Sequence, residues 1–143
     1  MPGRHVSDLI SGNVFALPGS ASVLDAVHLM CAHNIGAVLI VEEGQLRGIF
    51  TERDVLSRVI ATGQDLKKTA LSRVMTADPR TAIPKMSAVA ALLKMRSGGF
   101  RHLPVVESGQ VRGVISMRDF IGAEFREVDE QLEYAELLEA DLA

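Results

Sequence analysis

The sequence predicts a mixed α/β (α+β) fold of two tandem repeats packed about a pseudo-twofold axis. Each repeat is a small β-sheet flanked by helices, and an amphipathic helix follows at the C-terminus. Three observations predict it. First, "GIFTERD" at 48–54 and "GVISMRD" at 113–119 place a glycine, two apolar residues, a hydroxyl and an Arg-Asp pair in one order, 65 positions apart. Second, that offset of 65 holds without gaps from Ser7–Asp54 to Ser72–Asp119. Identities under it include Ser22/Ser87, Ala26/Ala91, Met30/Met95, Val41/Val106, Gly44/Gly109, Arg47/Arg112 and Gly48/Gly113. Fixed self-similarity of this kind means two copies of one structural unit. Third, each copy is too short to bury a good core alone, so the copies are expected to pack on each other. The expected boundaries are 1–60 for the first repeat, 61–70 for a connector, 71–122 for the second repeat and 123–143 for an acidic extension.

Each copy reads in the same order. A short extended piece comes first, "NVFAL" at 13–17 and "PRTAI" at 79–83. A helix follows, with Ser22 or Ser87 as its N-cap. Its apolar face is Val23, Ala26, Val27 and Met30 in one copy and Ala88, Ala91, Leu92 and Met95 in the other, at helical spacing. A β-hairpin comes next: "AVLIV" and "QLRGIF" around Glu42-Glu43-Gly44, then "HLPVV" and "QVRGVIS" around Ser108-Gly109. A second helix is expected to start at Thr51 or Ser116 and to run through "RDVLSRVIA" or "MRDFIGAEF". In the second copy it is expected to continue into the tail. There Ile121, Phe125, Val128, Leu132, Ala135, Leu138 and Leu142 form an apolar stripe backed by an acidic face.

Composition narrows the function. The 143 residues carry 48% hydrophobic and 23% charged side chains, an ordinary globular balance. With no tryptophan and 4% aromatics, the core must come from aliphatic residues and Met. No apolar run approaches the roughly 18 residues that span a bilayer, and "MPGRHVSDLI" lacks the apolar stretch of a secretory signal. A single cysteine, Cys31, precludes an intrachain disulfide and fits a reducing, cytoplasmic compartment. It reads as a packed small side chain. His28 and His33, five apart, do not share a helix face and make no metal ligand set. The net charge of −3 divides into +4 over residues 1–122 and −7 over 123–143. A mildly basic body suits a small anionic ligand, but without a clustered stripe it does not argue for nucleic acid. No nucleophile–base–orienter set and no phosphate-binding Gly-x-x-x-x-Gly-Lys loop is present, so no enzyme is expected.

The twin motif has two readings. The hydroxyl of Thr51 or Ser116 sits where a strand becomes a helix, and free N–H groups at that point attract phosphate. The same Ser/Thr-x-x-Asp pattern, with Asp54 or Asp119 three residues on, is also a capping-box signal. The two roles are compatible. Gly48 and Gly113 let the hairpin pass close to a neighbour or a ligand.

The segments "NIGAVLIVEEGQLRGIFTERD" and "FRHLPVVESGQVRGVISMRD", in their repeat frame, resemble a tandem pair of cystathionine β-synthase (CBS) domains, the Bateman module. The resemblance covers nearly all of residues 5 to 122. It implies a regulatory sensor of the stand-alone type that binds an adenine nucleotide in the cleft between the copies, AMP first among AMP, ADP, ATP and NAD-type ligands. On that footing Thr51, Asp54, Ser116 and Asp119 are candidate ribose and phosphate residues, because a carboxylate one turn beyond the hydroxyl can accept both hydrogens of a ribose diol. Arg101 and His102, aligned against Gly36 and Ala37, resemble the family's phosphate clamp, and a guanidinium fork suits phosphate oxygens. A solvated basic corner is the alternative reading. Arg53 and Arg118 are further phosphate candidates, with pairing to an acidic neighbour left open. The base is expected in an apolar slot: Val14, Phe15, Ile35, Gly36 and Ala37 around one site, and Thr81, Ala82, Ile83, Leu103 and Pro104 around the other.

Partners follow from the same reading. Bateman modules pair into flat discs of four repeats, so a homodimer is expected, with an unidentified protein target and neither nucleic acid nor membrane. The alternative is a ligand-free dimeric scaffold that docks its target through the acidic helix, the twin motif acting only as caps.

Overall fold

The computed structural model describes residues 3–10 and 13–142, with no side chain described at Leu142. In chain order its elements are β1 (Ala16–Leu17), α1 (Val23–His33), β2 (Ala37–Glu42), β3 (Gln45–Thr51) and α2 (Glu52–Asp54). Then come α3 (Leu71–Val74), β4 (Thr76–Ala77), α4 (Ala88–Gly98), β5 (His102–Glu107), β6 (Gln110–Ser116) and α5 (Gly122–Leu142). α2 runs directly into a π-helical stretch, Val55–Ile60. The fold is the expected mixture of helix and sheet, with the C-terminal helix present.

Local chemistry sets each element. Ser22 caps α1 by accepting from the Asp25 N–H at 3.1 Å, while the Asp25 carboxylate accepts from the Ser22 N–H at 3.0 Å, a reciprocal capping box. Ser87 caps α4 through the Ala90 N–H. Asn34 (φ 51°) and Gly99 (φ 72°) end these helices in the left-handed region. Both hairpins turn on two residues of positive φ, Glu43-Gly44 and Ser108-Gly109, the turn whose twist matches paired strands. β1 pairs in parallel with β2, and β3 pairs antiparallel with β2 and β4. β5 and β6 pair with each other, and Ala82 bridges Val105. The extended pieces are therefore shorter than expected: two residues form strand in the first copy and one forms a bridge in the second.

The pseudo-twofold is visible bond by bond. Val6, Ser7 and Ala88 N–H groups donate to the Met86, Pro84 and Arg4 carbonyls. Shifted by 65, the same three bonds are Leu71 to Ala21, Ser72 to Gly19 and Val23 to Thr69. The segment before each repeat is thus exchanged. Val6 sits fully buried among Ala88, Leu92, Met95, Leu103 and Ile115 of the second core. Leu71 and Val74 sit in the first core with Val23, Ala26, Met30, Val38 and Phe50. The expected connector is consequently not all linker, since Thr69 is buried and Ala70 bridges Ser22. A third cluster, Ala37, Leu39 and Ile49 with Leu46, Val111 and Val114, seals hairpin against hairpin at the axis. Gly48 is required beside β4: a Cβ there would lie 2.8 Å from the Thr76 carbonyl oxygen and 2.5 Å from Met75 Sδ.

The second helix departs from expectation. After Ser116 the chain makes one 3₁₀ turn, Met117–Asp119, and then extends at Phe120 (φ −93°, ψ 153°) before α5 begins. Three contacts impose the break. Phe120 is buried in the second core, Glu124 accepts from the Ile121 N–H at 2.9 Å, and Arg4 donates to the Asp119 carbonyl at 3.1 Å. The tail stripe is also divided. Phe125, Val128 and Leu132 pack on the chain's own second core, and Arg96 pairs with Asp129 across α4 and α5 at 2.9 Å. Ile121 and Leu138 are exposed, as are Tyr134 and Leu137 beside the stripe. Leu142 lies outside the described side chains. Among the described residues no helix is long and apolar enough to cross a membrane.

Candidate functional site

Each strand-to-helix junction is built by the twin motif. The Asp54 carboxylate accepts from the Thr51 N–H at 2.9 Å and the Thr51 hydroxyl accepts from the Asp54 N–H at 3.3 Å. Asp119 accepts from the Ser116 N–H at 2.7 Å. One oxygen of each aspartate is therefore a cap. The other oxygen of Asp54 lies 3.6 Å from Arg58 Nε, and an ionised carboxylate retains further lone pairs for a ligand. Neighbouring backbone bonds again obey the offset: the Glu52 N–H donates to the Gly36 carbonyl and the Met117 N–H to the Arg101 carbonyl. Each junction is thus tied to the strand entrance of its own copy.

Each junction also opens toward the strand entrance of the other copy. A cavity of about 490 Å³ is lined by Ile49, Thr51, Glu52, Arg53 and Asp54 of the first repeat and by Gly98, Gly99, Phe100, Arg101 and His102 of the second. Thr76, Asp78, Pro79 and Arg80 complete it. A second cavity, about 180 Å³, is lined by Val114, Ser116, Arg118 and Asp119 of the second repeat and by Asn13, Phe15, Ile35, Gly36 and Ala37 of the first. His102 lines both. The volume of the larger one falls in the usual range of small-molecule sites, about 300–1,000 Å³.

The larger cavity combines the groups that an anionic ligand with hydroxyls needs. Arg53, Arg80 and Arg101 present guanidinium groups at its rim, all on exposed residues. Asp54, half-buried, presents an acceptor. Ile49, Pro79 and Phe100 supply apolar wall. Burial holds the His102 imidazole below its ordinary range. Glu52 and Asp119 draw it back up, while Arg118 and Arg101 push it further down. Among the described residues no group of three or more His, Cys, Asp and Glu is placed to hold a metal.

The remaining candidates are distributed unevenly. Phe15, Ile35, Gly36 and Ala37 gather at the smaller cavity with Arg118. The Phe15 ring stacks on His33 with centroids 4.1 Å apart. Val14 and Ile83 are exposed and line neither cavity. Ala82 and Leu103 belong to the second core. The Thr81 carbonyl accepts from Lys94 Nζ at 2.7 Å and the Pro104 carbonyl from the Ala82 N–H at 2.9 Å, so both serve the fold. Conversely Asp78, Pro79, Arg80, Phe100 and Glu52 line the larger cavity and are not among the sequence candidates. The signal for three of them lay in the repeat itself, because the candidates Val14, Phe15 and Ile35 shifted by 65 give Pro79, Arg80 and Phe100.

The CBS domain family model matches twice, over residues 6–61 and 71–126. The chain belongs to the CBS domain family and carries two such domains in tandem. It is 37% identical over 115 residues to the CBS domain-containing protein CBSCBSPB5 of Arabidopsis thaliana, a match over 80% of this chain and 21% of that protein. It spans about a fifth of the length of the curated relatives it matches first. With the CBS domain-containing protein YhcV of Bacillus subtilis it shares 32% identity over 114 residues, covering 80% of this chain and 81% of the relative. Among solved structures it superposes on the CBS domain protein PAE2072 from Pyrobaculum aerophilum, complexed with AMP. The TM-score is 0.79 and the identity 25%, over 88% of this chain and 98% of that one. It also superposes on the CBS domain pair of protein MJ0100 in complex with 5′-methylthioadenosine and S-adenosyl-L-methionine. There the TM-score is 0.76 and the identity 27%, over 82% and 93% of the two chains.

Proposed function

We propose that this chain is a regulatory sensor that binds an adenine nucleotide, AMP first, in the larger cavity between its two CBS domains, and passes the signal to a partner protein. The observation that carries the reading is the composition of that cavity. The Thr51–Asp54 junction of one domain faces Arg101 and His102 of the other across a space of about 490 Å³. Adenosyl ligands bound to two structural neighbours support the ligand class. In this reading Asp54 accepts from the ribose diol with the lone pairs its cap leaves free. Arg101, aided by Arg53 and Arg80, holds phosphate oxygens, and the apolar wall takes the base.

A homodimer is part of the proposal. Leu56, Ile60 and Ile121 are more than half exposed, and Leu56 and Ile121 are the same position in the two repeats. Such paired apolar ground suits a second copy. The alternative, a scaffold whose twin motif only caps helices, draws on the capping bonds of Asp54 and Asp119 and on exposed Tyr134, Leu137 and Leu138.

Thermal melting with AMP, ADP, ATP, NAD and S-adenosylmethionine separates the two. A ligand at 100 times its Kd adds about 2.7 kcal/mol to native stability, roughly 5–11 °C for a chain of this size. Flat melts with the whole panel, together with flat calorimetry, would select the scaffold.

A further inference from the structure

Under the 65-residue offset the two cavities ought to be alike, and they are not. Thr51 matches Ser116, Asp54 matches Asp119 and Ile49 matches Val114, yet one cavity holds about 490 Å³ and the other about 180 Å³. The linings differ at several matched positions, Arg80 against Phe15, Phe100 against Ile35 and Arg101 against Gly36 among them, and one of the differing pairs lies at the pseudo-twofold. Ala37 lines only the smaller cavity, whereas His102, its counterpart, lines its own cavity and also reaches across the axis into the smaller one. Gly36 makes room for that reach: a Cβ there would stand 3.2 Å from His102 Nε2 and 3.1 Å from Glu52 Oε1. A methyl group at 102, the side chain the repeat carries at 37, would not cross.

We propose that His102 blocks the second adenosyl site, so that the chain holds one ligand, in the cavity of Thr51 and Asp54. The inference rests on the adenosyl reading above and adds its stoichiometry and the residue that sets it. A space of 180 Å³ lies well below the range that small-molecule sites occupy, about 300–1,000 Å³. The motif residues Ser116, Arg118 and Asp119 are nevertheless in place around it. The second site is thus furnished for a ligand and filled by a side chain. Glu52, Arg101, Arg118 and Asp119 are the charged groups that face the imidazole. Strand alternation puts His102 on the face of β5 opposite Leu103 and Val105, so its removal does not cut into the core they join.

The test is isothermal titration and equilibrium dialysis with AMP on the wild-type chain and on His102→Ala, the count of bound AMP per chain being the readout. Affinity at the first site is not the readout, since His102 also lines that cavity. The expected result is one AMP per chain for the wild type and two for His102→Ala. In the His102→Ala background, Asp119→Asn returns the count to one. Two AMP per chain in the wild type, or one in His102→Ala at saturating AMP, overturns the block and leaves the adenosyl reading standing. No AMP bound by either protein, with both melting cooperatively, overturns the adenosyl reading and the block together.

Discussion

Asp54 is asked to do two things with one carboxylate, and the two are separable by a single atom. Asp54→Ala removes the acceptor for the Thr51 N–H, so the unliganded melt should fall by the equivalent of about 0.5–2 kcal/mol, the usual cost of a lost cap. Asp54→Asn keeps one carbonyl oxygen for that N–H and should melt close to the wild type. Both variants should lose about 1.5–3 kcal/mol of AMP binding, the range for a hydrogen bond to a charged group. Calorimetry on the pair checks this; undiminished affinity in Asp54→Asn would confine the residue to capping. His102 gives a second residue-scale expectation. Its imidazole titrates lower in the folded chain than its ordinary 6.5 because it is desolvated. The unfolded chain therefore binds the extra proton first, and stability is lost as pH falls from about 6.5 through the folded value. The melt should drop as pH falls below about 6.5, and should drop less in His102→Ala. At this scale the sequence exposed what the repeat duplicates, Thr51 with Asp54 and Ser116 with Asp119. It did not expose Glu52, whose part depends on how one copy faces the other.

Among the elements, the break before α5 is the feature that local pattern could not give. Residues 117 to 125 read as uninterrupted helix because their apolar spacing is helical. Besides the burial of Phe120 and the local bond between Ile121 and Glu124, the interruption is fixed by a residue 120 positions from Glu124 in the chain. Arg4 donates to the Glu124 carboxylate from Nε at 3.1 Å and Nη2 at 2.6 Å, and holds the Asp119 carbonyl with the same Nη2. In the first repeat the matching positions are Thr69 and Val59, both buried and uncharged, and there the helix runs on without a break. The bond from Arg4 holds the Glu124 carboxyl below its usual range, against the opposing effect of burial. A depressed acid stabilises the fold above its unfolded pKa, here the ordinary 4.5, and that stability is lost as pH falls through the lower folded value. Arg4→Ala should lower stability at neutral pH by about 1–2 kcal/mol, less than a fully buried charged pair because the arginine is one-third open to water. The gap between wild type and variant should narrow below about pH 4.5. Urea unfolding at several pH values reads it; a gap that is constant down to pH 3 would assign the cost to packing.

For the whole molecule, the exchange of leading segments makes the two domains one folding unit. Val6 completes the second core and Leu71 the first, so neither repeat closes its core with its own 65 residues. The offset made the duplication legible, and the exchange was not, since a repeat shows that two segments are alike and not which core each one enters. The tail then divides in two by what it touches. Phe125, Val128 and Leu132 belong to the second core, whereas Tyr134, Leu137 and Leu138 are 65%, 61% and 46% exposed. Cutting the chain after Arg126 removes Val128 and Leu132 and should cost about 2 kcal/mol or more, about 1.5–3 kcal/mol for the fully buried Val128 and less for the half-buried Leu132. Cutting after Glu133 spares that packing and should leave the melt within about a degree, because surface changes away from packed features usually stay within about 0.5 kcal/mol. The two cuts therefore isolate what the far half of α5 does. If it helps hold two copies together, the chain ending at Glu133 melts like the full chain at high dilution, yet shows a weaker dimer by sedimentation. AMP binding survives either cut that leaves a folded body, because Thr51, Asp54, Arg101 and His102 all precede α5. An unchanged sedimentation profile would move the dimer contact to Leu56, Ile60 and Ile121, and would leave the exposed end of α5 for a partner of another kind.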